Sequence, residues 1–199
     1  MKMNNLTVKL AALLVLRCIT VEAGTVVNLN DSGPGSLRQV IQDAGVGETI
    51  TFSQGLSGTI VLTSGQLPIN QNLTIQGPGA KSLTIAADST RIFSIESPVN
   101  VSISGLTLTG HASIPAGTGG GIYNGGNLSL VQCHITGCTA TGSAGNPGEG
   151  GGIASVGNLA MTACAVSYCR AAGGDAPSGS AGPGLGGGLY VLGSMALTN

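Results

Sequence analysis

The sequence predicts an all-β fold: a single right-handed parallel β-helix, or solenoid, of about six coils behind a short N-terminal capping α-helix. Three observations carry that expectation. The segment GGGIYNGGNLSLVQCHITGC (119–138) returns as GGGIASVGNLAMTACAVSYC (150–169), and a third copy, GGGLYVLGSMALTN, runs from Gly186 to Asn199. Spacing is constant inside a copy, whereas the connectors 112–118, 139–149 and 170–185 grow from 7 to 11 to 16 residues. Short alternating apolar pairs recur before the first copy: Ile50/Phe52, Leu73/Ile75, Leu83/Ile85, Phe93/Ile95, Val101/Ile103 and Leu106/Leu108. Fixed units joined by free spacers are what stacked coils require, because a coil buries its apolar side only against its neighbours. The hand follows from the general preference of parallel crossovers.

Residues 1–23 read as an export signal. Lys2 and Lys9 form a basic start, Leu10–Leu16 a short apolar run, and Val21-Glu22-Ala23 a small-residue cleavage site. Residues 24–48 read as a cap. In it, Thr25–Leu29 has strand character, and Asp31-Ser32-Gly33-Pro34-Gly35 is a turn. A helix is expected over 36–44, with Ser36 and Gln39 as a capping box, Leu37, Val40, Ile41 and Ala44 on one face, and Gly45 closing the end. Such a helix can cover the apolar end and open strand edges of a coil stack. Residues 49–199 are then the repeats, cut in mid-coil at Asn199, with an exposed strand edge.

Aligning the repeats gives four columns. Ile95, Ile122, Ile153 and Leu189 form one; Val101, Leu128, Leu159 and Met195 the second; Ile103, Leu130, Met161 and Leu197 the third; Leu108, Ile135 and Val166 the fourth. Members of the second column lie 27, 31 and 36 residues apart, so their increments equal those of the connectors. The same alignment places His111 with Cys138 and Cys169, and points His134 outward.

Composition narrows the function. Formal net charge is −1 and only 8% of residues are charged, so the basic stripe that nucleic-acid binding needs is missing. The chain has 42% hydrophobic residues, too many for disorder, and 35 glycines without the strict third-position spacing of collagen. No apolar run after the signal is long enough to span a bilayer. GPGAKS (77–82) and GPGLGG (182–187) resemble phosphate-binding loops by letter, but neither opens a helix, so no cofactor is expected.

The cysteines invite three readings. Stacking sets Cys133 over Cys164 and Cys138 over Cys169, so buried free thiols, inter-coil disulfides Cys133–Cys164 and Cys138–Cys169, and a four-thiolate zinc site all come into view. Cys133 shares a column with Leu106, which favours buried thiols, and no metal site is assigned. The carboxylates Asp31, Asp43, Glu48, Asp88, Glu96, Glu149 and Asp175 are sparse. No two share a column on adjacent coils, as the paired acids of glycoside hydrolysis would need, so no catalytic residue is assigned. Glu149 and Asp175 lie in the variable connectors and are the candidate loop contacts. Asn72, Asn100 and Asn127 fit the glycosylation sequon by letter, and no glycan is attached to them.

The segments DSGPGSLRQVIQDAGVGETITF (31–52), LSGTIVLTSGQLPINQNLTIQGPG (56–79) and GGGIYNGGNLSL (119–130) together resemble the exported bacterial right-handed β-helix repeat proteins with pectin-lyase-like folds. That group includes polymorphic outer-membrane-protein-like and surface-adhesin sequences. The resemblance implies secretion to a cell surface or outer membrane and a scaffold role, with surface glycans or host and matrix proteins as partners. Where the group often stacks an asparagine ladder, ITGC and VSYC carry Cys138 and Cys169, so no asparagine ladder is expected. The Asp and Arg motifs of polygalacturonases and pectate lyases are not found. The expected function is therefore a non-enzymatic, adhesin-like scaffold whose connectors form the recognition edge. The alternative is the N-terminal fragment of a polysaccharide lyase or glycoside hydrolase with catalytic coils beyond residue 199.

Overall fold

The computed structural model describes residues 24–112, 118–176 and 180–199. The expected export signal, most of the first connector and residues 177–179 lie outside these. The chain forms a parallel β-solenoid of about 5 turns, almost without helix. The first sheet stacks Thr25–Val26, Glu48–Phe52, Leu73–Gln76, Asn100–Ser104, Asn127–Val131, Asn158–Thr162 and Met195–Thr198 in that order. The second stacks Leu67–Ile69, Phe93–Ile95, Ile122–Asn124, Ile153–Ser155 and Leu189–Val191. The third contains Gly58–Leu62, Leu83–Ala87, Thr107–Ala112, His134–Thr136 and Ala165–Ser167. All these pairings are parallel, the arrangement coil stacking demands.

Three of the four expected columns match the register. Val101, Leu128, Leu159 and Met195 pair in succession, as do Ile103, Leu130, Met161 and Leu197, and Leu108, Ile135 and Val166. The column headed by Ile95 is displaced by two residues. Phe93 pairs with Ile122, and Ile95 with Asn124. The corner after Ile95 uses Glu96–Val99, whereas the corresponding corner one coil later uses only Gly125 and Gly126, so counting back from Val101 by the later spacing stops two residues short of Phe93. His111 likewise pairs with Thr139 and not with Cys138. Gly137, at φ 64°, adds a corner residue that the continuous strand Thr107–Ala112 lacks.

The core is a column of apolar side chains inside the coils: Ile50, Ile75, Ile103 and Leu130 from the first sheet, Phe93 and Ile122 from the second, Ile85, Leu108 and Ile135 from the third. Two polar side chains interrupt it. Asn124 donates to Ser155 Oγ at 2.8 Å and to the Asn158 carbonyl at 3.0 Å, so the buried amide is satisfied between coils. The corners explain the glycines of the repeat. Gly119, Gly150 and Gly186 adopt φ between 60° and 67°, which side chains disfavour. The middle glycines are sterically forced, because a Cβ on Gly120 would overlap the carbonyl oxygens of Gly151 and Thr139.

Helix α1, Leu37–Asp43, lies within the expected 36–44, with Leu37 and Ile41 buried over the first coils, and it ends at an extended Ala44 and not through Gly45. Ser36 Oγ accepts from Gln39 N at 3.2 Å, but the reciprocal half of the capping box is not made. Ser36 N donates instead to the Gly33 carbonyl, and the Gln39 amide bonds the Asp43 carboxylate. An ion pair fastens the cap to the stack. Arg38 meets Asp31 Oδ1 at 2.7 Å and also donates to the carbonyls of Gly65 and Gln66. Asp31 Oδ2 accepts from Thr63 N, Thr63 Oγ1 and Ser64 N. Burial opposes ionisation of Asp31, yet the Arg38 guanidinium and these donors hold its carboxyl well below the usual carboxylate range.

Candidate functional site

The outer face of the first sheet carries an open groove of about 720 Å³. Alternation along each strand sends Leu73, Val101, Leu128 and Leu159 into the core and leaves Thr74, Ser102, Ser129, Ala160 and Ala196 outward as one in-register row. These small side chains form the floor. One wall is a row of amides at the strand starts: Asn72, Asn100, Asn127 and Asn158, extended by Ser194.

The amides bond to one another. Asn100 donates from its backbone to Asn72 Oδ1 at 2.8 Å, Asn127 Nδ2 to Asn100 Oδ1 at 2.9 Å, and Asn158 Nδ2 to Asn127 Oδ1 at 2.7 Å. Ser194 Oγ closes the row on Asn158 Oδ1 at 2.6 Å. Every side-chain donor points toward the preceding coil, so the row has a direction. Each amide has two N–H groups, and the ladder itself uses at most one of them on Asn100, Asn127 and Asn158. An asparagine ladder is thus present on this chain, at the strand starts and not at the Cys138 and Cys169 corner where the resemblance would place one. Sequence reading noticed Asn72, Asn100 and Asn127 only as sequons. The signal it passed over was position: each stands one residue before the same apolar column, as does Asn158.

The connectors are ordered by pairing. Thr139–Ala144 runs parallel to Arg170–Gly174, and Gly148–Glu149 parallel to Gly184–Leu185. Glycine permits the contact: a Cβ on Gly173 would overlap the Gly182 carbonyl, and one on Gly182 the Asn146 carbonyl. Glu149 is half-buried and Asp175 exposed, and neither carboxylate makes a hydrogen bond or ion pair among the described residues.

The four cysteines of the repeats are free thiols, with neither Cys133–Cys164 nor Cys138–Cys169 bridged. Each follows a residue in the left-handed conformation: Gln132, Ala163 and Tyr168 at φ 50–52°, and Gly137 at 64°. Cys133 and Cys138 are buried, while Cys164 and Cys169 are partly exposed. Among the described residues no group of three or more His, Cys, Asp or Glu could hold a metal ion. Burial pushes the Cys133 thiol up to about 11. His134 is half-buried and meets Ser167 Oγ at 2.9 Å. Near the second-sheet corner, the Arg91 guanidinium lies 5.2 Å from the centre of the Tyr123 ring, and burial lowers its pKa. No described helix is long and apolar enough to cross a membrane.

Chemically, the groove is neutral and presents amides, hydroxyls and methyls at the coil repeat of ~4.8 Å. Its lining contains no carboxylate, cation or aromatic ring. It is suited to hydrogen-bonding an extended, uncharged, hydroxyl-rich chain. No family model matches this chain, and neither does any curated protein or solved structure.

Proposed function

We propose that this chain is a non-enzymatic, exported scaffold of the surface-adhesin kind, and that its ligand is a neutral linear glycan laid along the first sheet. The observation that carries the reading is the amide ladder Asn72–Asn100–Asn127–Asn158 beside the groove. Repeating donors and acceptors on a straight, rigid platform match a polymer with repeating hydroxyls, and their order in advance of binding lowers its entropic cost. The absence of charge from the lining favours a neutral ligand over an acidic one. The connectors 139–149 and 170–185 hold one another through backbone pairing, which makes them a poorer recognition edge than the groove.

A glycan array with the purified chain tests this, using Ser129→Arg to fill the groove floor and a shortened 170–185 connector as the second arm. Binding of neutral glycans that S129R abolishes and connector shortening leaves within about twofold is the expected result. Dependence on the connector alone would move recognition there. Release of unsaturated or reducing sugars from a polysaccharide would replace the scaffold reading with a lyase or hydrolase.

A further inference from the structure

Cys138 and Cys169 occupy successive levels of one corner, Cys138 buried and Cys169 partly exposed, with Cys138 Sγ donating to the Thr136 carbonyl at 3.6 Å and Cys169 Sγ to the Ser167 carbonyl at 3.3 Å. The strands that follow them are in register, Thr139 pairing with Arg170, and Arg170 N donates to the Cys138 carbonyl at 2.8 Å. Neighbouring parallel strands hold Cα atoms ~4.8 Å apart, inside the ~4.4–6.8 Å that a disulfide spans. Both sulfurs pack over glycine: a Cβ on Gly121 would lie 2.9 Å from Cys138 Sγ, and one on Gly152 3.2 Å from Cys169 Sγ. The missing side chains leave the sulfurs room to rotate about their Cβ atoms.

We propose that Cys138 and Cys169 form an oxidisable dithiol, a modification site at which a small disulfide such as glutathione disulfide is reduced and two adjacent coils become covalently joined. The partly exposed Cys169 is the attacking group. The neighbouring Cys138 thiol lowers the Cys169 pKa against the opposing effect of burial, and the same coupling pushes Cys138 up. The Cys169 thiolate forms a bond to one glutathione sulfur, the S–S bond of the reagent breaks, and one glutathione leaves as thiolate. Cys138 gives its proton to that leaving thiolate and attacks Cys169 Sγ. The mixed disulfide breaks, and the second glutathione leaves and takes up the proton released when Cys169 ionised. Two protein thiols and one small disulfide become one protein disulfide and two small thiols, so electrons balance.

The other stacked pair is the internal control. Cys164 Sγ accepts from the backbone N–H of Cys133 at 3.4 Å, and neither sulfur of this pair packs over a glycine as those of Cys138 and Cys169 do. This site is independent of the glycan groove, which lies on another sheet.

The test is to equilibrate the full chain with oxidised and reduced glutathione, quench with N-ethylmaleimide and map the cysteine peptides by mass. A single bridge joining Cys138 to Cys169, with Cys133 and Cys164 alkylated, is expected. Before oxidation, Cys169 should alkylate roughly tenfold faster than Cys133. In Cys138→Ala a glutathione adduct should persist on Cys169. Four alkylated repeat cysteines in excess oxidised glutathione would overturn the proposal, as would a Cys133–Cys164 bridge. The wild-type map is decisive by itself if C138A does not fold.

Discussion

Among the described residues, the Asp31 carboxylate accepts five hydrogen bonds. It gathers Arg38, the Thr63 hydroxyl and two backbone amides, and thereby joins cap to coil. Removing it leaves the half-buried Arg38 guanidinium with only the Gly65 and Gln66 carbonyls, so Asp31→Ala should cost about 2 kcal/mol in urea denaturation. The pH dependence follows from the depressed folded pKa. The contribution is complete above the unfolded value near ~3.9 and disappears as pH falls through the lower folded value. The wild type should therefore lose stability steadily below about pH 4, and D31A should show a shallower acid limb. Identical acid limbs would show that the ion pair contributes nothing to folding.

Legibility at this scale depended on side-chain chemistry. The aliphatic columns were readable because an inward position tolerates little besides Leu, Ile, Val or Met. The amide ladder was not, because an exposed asparagine has many uses, and only alignment with the column behind it reveals this one. Asn124 in the core was also missed, since its partner Ser155 is remote in sequence and unremarkable in type.

Among the elements, the glycine corner sets the spacing of the coils. Gly120 and Gly151 are enclosed by carbonyls of the next coil and of their own, whereas a Cβ on Gly187 would meet only the Cys169 oxygen at 3.2 Å. Gly120→Ala should thus destabilise by about 2 kcal/mol or more, and Gly187→Ala should be nearly neutral, as read by thermal unfolding. Equal effects of the two substitutions would contradict the steric account. The same corners explain what the repeats could not show. Corner length varies between Glu96–Val99 and Gly125–Gly126, and this shifted one column by two residues. The connectors looked like loops because glycine carries no alternation, although glycine is what lets Thr139–Ala144 and Arg170–Gly174 pair so closely.

At the level of the whole molecule, the two ends differ. Helix α1 closes one end over Leu37 and Ile41, while the strand Met195–Thr198 at the other is exposed throughout, with Leu197 at 61%. Stability in a stack is a sum over neighbours, so a coil with one neighbour opens more readily than one with two. Amide hydrogen exchange should be slowest around Ile75 and Ile103 and fastest over Met195–Thr198. Uniform protection to the end of the chain would mean that something covers the last coil in solution.

The difference between the ends also gives folding an order. Equivalent positions in the later coils are separated by only 27 to 36 residues, so each coil closes a loop of modest length onto an edge that already exists. The coils beneath helix α1 are synthesised before the later ones, so each later coil finds its template finished before it appears. Assembly can then run at the pace of translation, with a single growing edge and no search for a distant partner.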